Sequence, residues 1–541
     1  MTPDRPNVIL ILVDDMGFAD LGCMGSEIRT PNINRLAANG VTLSSMYNCA
    51  RCCPTRASLL TGLYPHKAGI GYMAVDFGVP EYQGKLRSDA VTIPEALREN
   101  GYRTLMSGKW HVGGDFEPRE ADSWRVGDLD HPSPRQRGFD RFFGMVDGAM
   151  SFFFPHHLME NDQRVEVTSN DFYLTDAISE RACGMIGEAV EDDAPFFLYL
   201  AYNAPHWPLH APEEDIARYG RTYLGGWDSI RTARHENMIG AGVLQNPWDI
   251  SPRDAEAPPW DEVASGDWEA ARMAVYAAMV DRMDAGVGRV VDQLERLGVK
   301  DDTLILFLSD NGGCAELLAE DGWCKFFPDR LPDGREIRSG NRPSLRPGGP
   351  QTFMSYDLPW ANVSNAPFRL YKHWVHEGGI STPMVAHWPN GIDNRGFVHS
   401  PWHVVDVLPT ILDITGTSYP VEFGGHTVQK LDGESFAGLF RPGSDRVRER
   451  PIFWEHEGNA ALRQGDWKIV RKHGQAWELY NMVDDRTELN DLSDRHANAR
   501  DRMIRDHGDW AERLGVRPWE EVISLAKSRY GRGTDLHGKI G

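Results

Sequence analysis

The residues best placed to do chemistry lie in the stretch Cys52-Cys53-Pro54-Thr55-Arg56-Ala57-Ser58-Leu59-Leu60-Thr61-Gly62. Pro54 suits a first helical turn, where its missing N–H costs nothing, and Gly62 suits the stop. The spacing predicts a short helix with a thiol at its mouth. Free N–H groups and the helix dipole attract anions there. Arg56 adds a forked cation about one turn on. A nucleophile, an anion hole and an arginine thus converge on one spot. Two plainer readings compete. Cys49-Ala50-Arg51-Cys52 is formally a C-x-x-C redox pair, but that leaves Pro54, Arg56 and Thr61-Gly62 unexplained. Cys49, Cys52 and Cys53 as ligands of a structural metal lack a second Cys/His pair at zinc-like spacing.

Four further groups carry chemistry. Asp14-Asp15 and Asp310-Asn311 supply three carboxylates and an amide oxygen, a donor set for a hard cation such as Ca²⁺ or Mg²⁺. Singly, each is as well explained as a turn former. Lys109 and His111 sit between glycines in Gly108-Lys109-Trp110-His111-Val112-Gly113, where close backbone approach to a ligand is allowed. His206 lies in the rigid loop Ala204-Pro205-His206-Trp207-Pro208 and suits proton transfer near neutral pH. Lys372, in Arg369-Leu370-Tyr371-Lys372, reads by itself as structural or solvated. Tyr72, Trp207, His210, Tyr371 and His373 flank these positions, as pocket walls or as packing.

Most of these groups follow an apolar run. Val8–Val13, Thr303–Leu308, Phe196–Ala201 and the weaker Arg103–Met106 read as strands buried on both faces. Polar residues after each strand are an α/β enzyme layout, in which ligands bind beyond the carboxyl ends. Helices are expected over Thr92–Asn100, over Trp268–Leu297 as one helix or two, and over Val405–Ile414 with Pro409 as a kink. Residues 115–140, 213–262 and 325–360 read as long surface excursions able to wall a pocket. After about residue 435 short strands at Pro451–Trp454, Ala460–Arg463, Trp467–Val470 and Ala476–Tyr480 predict an antiparallel sheet, followed by a polar helix over Arg495–Leu514. The expected division is a catalytic α/β domain over 1–435 and a small α+β subdomain over 436–541.

Composition narrows the partners. Lys+Arg of 57 against Asp+Glu of 79 gives a net charge of −22. Such a surface repels polyanions, so nucleic acid is not an expected partner. No apolar run reaches the ~20 residues of a membrane span. Residues Met1–Pro6 lack a signal-peptide layout, and seven cysteines do not form a disulfide framework. A cytoplasmic protein is expected, or a periplasmic or secreted one if a leader has been trimmed.

Taken in order from Asn7 to about Leu492, these motifs resemble the type I sulfatases of the alkaline phosphatase superfamily. The Cys-x-Pro-x-Arg pattern followed by Thr61-Gly62 resembles their modification motif. Ala68–Met73, Ala204–Leu209, Val275–Val280 and Arg463–Lys468 are most similar to the bacterial arylsulfatase branch. The resemblance implies an alkaline phosphatase-like fold, with a large, mostly parallel sheet flanked by helices and a smaller C-terminal antiparallel sheet plus helix. It implies that Cys52 is oxidised to formylglycine by a formylglycine-generating enzyme acting on the unfolded chain. Asp14, Asp15, Asp310 and Asn311 would bind Ca²⁺ (or Mg²⁺) together with modified Cys52. Arg56 and Lys109 would stabilise the diol and hold sulfate, His111 would take a proton from it, and His206 and Lys372 would serve the departing alcohol. The expected reaction is hydrolysis of an aryl, alkyl or sugar sulfate. A phosphonate or phosphodiester hydrolase with the same nucleophile is the alternative, and Asn311 after Asp310, in place of His, favours the sulfatase. Thr55, where Ser is frequent, is a mild departure. Cys53 offers a second thiol, but only Cys52 has the x-Pro-x-Arg spacing. A silent sulfated-glycan binding protein would have lost some of these residues; all are present.

Overall fold

The computed structural model describes residues 5–114, 125–322, 327–444 and 446–530. The excursion expected over 115–140 and that over 325–360 lie partly outside these residues. Ten strands form the central sheet: β1 (Asn7–Asp14), β2 (Val41–Leu43), β3 (Arg103–Gly108), β4 (Arg141–Met145), β5 (Leu158–Glu160), β6 (Gln163–Val165), β7 (Phe196–Pro205), β8 (Thr303–Ser309), β9 (Met384–His387) and β10 (Gly396–Val398). Their order is β10-β2-β9-β8-β1-β7-β3-β4-β5-β6. β8, β1, β7 and β3 run parallel side by side, so their carboxyl ends fall on one edge. Antiparallel pairing enters at β9 and beyond β4. The four strands read from apolar runs are this parallel centre.

Burial on both faces is visible along β1. Ile9, Ile11 and Val13 join one apolar cluster while Val8, Leu10 and Leu12 join another on the opposite face. That alternation is the pleat of a strand covered on both sides. The covering helices include α1 (Cys52–Thr61), α2 (Ile93–Glu99), α3 (Leu174–Glu191), α4 (Gly226–Gly240), α5 (Gly266–Arg296) and α6 (Val407–Thr415). Thr92 caps α2 in a full capping box with Glu95. The segment expected as one helix or two is the single helix α5. Pro409 falls in the first turn of α6, where no hydrogen bond is lost, so it needs no kink.

Residues 213–262 depart from the reading as an excursion, because α4 runs through them. Trp227, Arg231, Arg234 and Met238 are buried at helical spacing along it. Two of those four are arginines, so an apolar periodicity could not show it. Both are satisfied inside the molecule: Arg234 pairs with Asp20 at 2.7 Å and with Glu27 at 2.7 Å, and Arg231 donates to the Asn362 carbonyl at 3.0 Å and the Ser251 carbonyl at 2.6 Å.

The C-terminal strands β11 (Ile452–His456), β12 (Asn459–Gln464), β13 (Trp467–Arg471) and β14 (Glu478–Asn481) form an antiparallel sheet in sequential order. Helices α7 (Ala497–Leu514) and α8 (Trp519–Tyr530) follow. α8 was not anticipated. A buried charge cluster ties this sheet to the body: Lys468 Nζ donates to Glu377 Oε1 and to Glu488 Oε1, both at 2.8 Å, and Arg486 Nε donates to Glu377 Oε2 at 2.9 Å. None of the helices among the described residues is long and apolar enough to cross a membrane.

Candidate active site

The parallel centre of the sheet delivers four functional segments to one edge. Asp14 ends β1 and Asp15 follows it; Asp310-Asn311 follow β8; Lys109 and His111 follow β3; His206 follows β7. Gly108 makes the β3 exit feasible. Its φ is +123°, and a Cβ there would lie 1.8 Å from the Ala201 carbonyl oxygen. The next amide, Lys109 N–H, donates to that same carbonyl at 2.7 Å. Asp15 (φ 66°) and His111 (φ 56°) take left-handed backbone conformations that non-glycine residues seldom adopt. Such conformations persist where the surroundings over-determine them, often at sites of function.

Helix α1 meets this edge with its N-terminus. Arg51 is its N-cap residue, Gly62 ends it at φ 66°, and all ten of its residues are buried. The structure brings the predicted catalytic and metal-binding residues into one cluster. Arg56 donates to Asp310 Oδ2 at 2.7 Å and to the Lys109 carbonyl at 3.0 Å. Lys109 Nζ lies 2.5 Å from Asp14 Oδ2. Lys372 Nζ donates to Asp15 Oδ2 at 3.0 Å, and Asn311 Nδ2 donates to Asp15 Oδ1 at 2.7 Å. His206 Nε2 stands 3.4 Å from Asp15 Oδ2 and 3.3 Å from Lys372 Nζ.

Proton positions follow from these contacts. His206 Nδ1 lies 2.6 Å from the Trp207 carbonyl, which can only accept, so Nδ1 carries the hydrogen. Nε2 is then a bare lone pair facing the Lys372 ammonium. Burial lowers the His206 pKa, with Asp15 pulling the other way. Burial also works against the Lys372 ammonium, but Asp15, Cys314 and Glu316 hold its pKa well above the lysine norm. A lysine proton donor beside a neutral imidazole results. His111 hydrogen-bonds the Cys52 sulfur, and burial pushes its own pKa down. The Cys53 thiol, hydrogen-bonded to Cys52, together with Lys109 and His111 holds the Cys52 thiol well below its usual value despite burial. Cys49 is engaged elsewhere, 3.4 Å from Ser58 Oγ.

The fit of a divalent cation can be judged from the oxygens. Asp14 Oδ1 and Asn311 Oδ1 are buried and have no hydrogen-bond partner. Burial and the neighbouring Asp14 carboxylate push Asp310 well above the carboxylate range. Orphaned oxygens among crowded carboxylates are what a hard cation would satisfy. Asp14, Asp15, Asp310 and Asn311 therefore fit one.

Several contributors had no sequence signal. Tyr199, in the middle of β7, brings its hydroxyl to 3.4 Å from Arg56. Glu316 pairs with Arg51 at 3.1 Å. Glu457, at the turn between β11 and β12, pairs with His373 at 3.1 Å. Tyr72 stacks on His456, and Trp207 donates to Glu316, so both stand at this end of the molecule. His210 and Tyr371 are committed to structure instead: His210 Nε2 donates to the Thr352 carbonyl at 2.7 Å, and the Tyr371 hydroxyl donates to Asp254 at 2.8 Å.

Comparison with known proteins gives a consistent picture. The family model described as Sulfatase matches residues 6–417, and one described as N-sulphoglucosamine sulphohydrolase, C-terminal, matches residues 368–504. An uncharacterized sulfatase of Schizosaccharomyces pombe is 32% identical, with 92% of each chain covered. An arylsulfatase of Klebsiella aerogenes is 31% identical over 81% of this chain and 92% of its own. The crystal structure of Ps i-CgsB superposes with a TM-score of 0.68 at 28% identity, covering 99% of both chains. A phosphonate monoester hydrolase of Agrobacterium radiobacter shares the fold at a TM-score of 0.55 and 20% identity.

Proposed function

The chain belongs to the sulfatase family and hydrolyses sulfuric esters, and from that premise we propose that Cys52, converted to formylglycine, is its nucleophilic position. The observation that carries this reading is the placement of Cys52 at the buried mouth of α1, with His111 on its sulfur and Lys109, Arg56 and the Asp14–Asp310 carboxylates around it. A formylglycine there supplies, as its hydrate, one hydroxyl to attack sulfur and a second whose ionisation expels sulfate. A serine has only one oxygen and could not complete both steps.

The chain's own groups have distinct tasks. Lys109 and Arg56 present cations to the sulfate oxygens and to the hydrate. His111, kept neutral by burial, accepts the proton from the second hydroxyl. Lys372, with the neutral His206 imidazole beside its ammonium, delivers a proton to the departing alcohol oxygen. Asp14, Asp15, Asp310 and Asn311 would hold Ca²⁺, which supplies Lewis-acid stabilisation of charge on oxygen. Conversion of Cys52 requires a formylglycine-generating enzyme as partner during synthesis.

The relatives bear the names of an arylsulfatase, an N-acetylgalactosamine-6-sulfatase and a steryl-sulfatase. They share the bond cleaved, and their alcohols differ. The test is mass spectrometry of the Cys52 peptide from protein co-produced with a formylglycine-generating enzyme, paired with aryl sulfate hydrolysis by the same sample. Formylglycine with activity that vanishes in Cys52→Ala supports the mechanism. An unmodified thiol with full activity, or phosphonate turnover far above sulfate turnover, would overturn it.

A further inference from the structure

Arg51 precedes the nucleophile directly, yet no step above uses it. It is 7% exposed. Its guanidinium meets Glu316 Oε1 at 3.1 Å, while its Nε is buried without a hydrogen-bond acceptor. An unpaired buried N–H is costly, and a ligand that supplies an acceptor recovers the loss.

Glu316 places this group on the leaving-alcohol side. Its Oε2 accepts from Trp207 Nε1 at 2.8 Å, and the Trp207 ring lies 4.4 Å from that of His206. Burial would raise the Glu316 carboxyl, but Lys372, Arg51 and His206 face it and hold it down to about 2. On the other flank the Glu457 carboxylate, paired with His373, also acts on Arg51. Exposure rises outward along this arc, from 2% at Cys52 to 18% for the Glu316 side chain and 23% for that of His373. The arc is thus open to solvent at its Glu316 and His373 ends.

Its chemistry selects a class of alcohol. Arg51 is met by Glu316 and Glu457, and Lys372 by Asp15 and Glu316, so a second anion on the substrate finds no unopposed cation. What the arc does offer is an N–H donor beside carboxylate acceptors, the pairing that neighbouring hydroxyls satisfy. We propose that Arg51 and Glu316 are specificity-determining residues that bind a hydroxyl adjacent to the sulfated oxygen, so that the alcohol released is polyhydroxylated, as in a sulfated sugar. This assignment rests on the sulfuric ester hydrolase reading given above.

The experiment uses full-length protein whose formylglycine content at position 52 is measured by mass spectrometry, with all rates normalised to that content. Galactose 2-, 3-, 4- and 6-sulfates are compared with 4-nitrophenyl sulfate, which has no hydroxyl. In Arg51→Ala the kcat/KM ratio of the best sugar sulfate over the aryl sulfate should fall by about 10- to 100-fold, the range of one or two lost hydrogen bonds. Arg51→Lys should recover part of that ratio, and Glu316→Gln should lower it in the same direction. An unchanged ratio in Arg51→Ala, or wild-type protein that cleaves the aryl sulfate and no sugar sulfate, overturns the assignment while leaving the hydrolase reading in place. Formylglycine-bearing protein inert toward every sulfate ester overturns both.

Discussion

Cys52 and its neighbour Cys53 differ in what surrounds them, although each is buried. Cys52 meets His111 and Lys109; burial raises the Cys53 thiol well above its usual value. Moving the thiol by one residue should therefore not preserve function. Cys53→Ser is expected to retain formylglycine formation and most activity, whereas Cys52→Ser should lose at least 10³-fold in kcat. Formylglycine content from mass spectrometry, set beside kcat per total protein, decides this. At this scale the sequence was informative wherever a residue followed an apolar run or sat inside the Cys-x-Pro-x-Arg motif. Tyr199, Arg51 and Glu457 were invisible, because their partners lie far along the chain and only strand pairing and the β11–β12 turn bring them in.

Strand ends and helix ends set the next level. Asp14 and Asp310 reach each other because β1 and β8 are parallel neighbours in register, Val13 opposite Ser309. Asn311→Ala removes an orphaned oxygen without changing charge. It should weaken Ca²⁺ binding by about 10-fold or more, measured as loss of the Ca²⁺-dependent rise in Tm on titration of chelated protein. The Lys468–Glu377–Arg486 cluster makes a separate prediction. Burial raises the Glu377 carboxyl, yet Lys468 and Arg486 outweigh it and hold its pKa at about 2. Its folded pKa lies below the unfolded value of about 4.5, so its contribution is full above pH ~4.5 and is lost as pH falls toward 2. Wild-type Tm should drop more steeply over that window than the Tm of Glu377→Gln. Lys468→Met leaves a buried carboxylate uncompensated and should cost about 3–5 kcal/mol, read from urea denaturation. The short strands of this sheet were legible from their turns. Helix α4 was not, since it buries arginines where a periodic pattern would need apolar side chains.

Over the whole molecule, 57 basic against 79 acidic side chains oppose the approach of an anionic ester. The local cations at Arg56, Lys109 and Lys372 reverse that field only at short range. Salt should therefore help: kcat/KM for a multiply sulfated substrate is expected to rise several-fold between about 0.01 and 0.15 M ionic strength, as the screening length falls from about 30 to 8 Å. A fall in rate would show that long-range attraction dominates. The parallel centre of the sheet was readable from four apolar runs, while its antiparallel margins came from three- to five-residue strands too short to carry a pattern. The burial of α1 has a consequence in time as well as in space. α1 packs against α6, whose residues leave the ribosome about 355 positions after Cys52. At about 5–20 residues per second, that interval is roughly 20–70 seconds. On the proposed conversion of Cys52 to formylglycine, each molecule's activity is decided by a race run once, during its own synthesis.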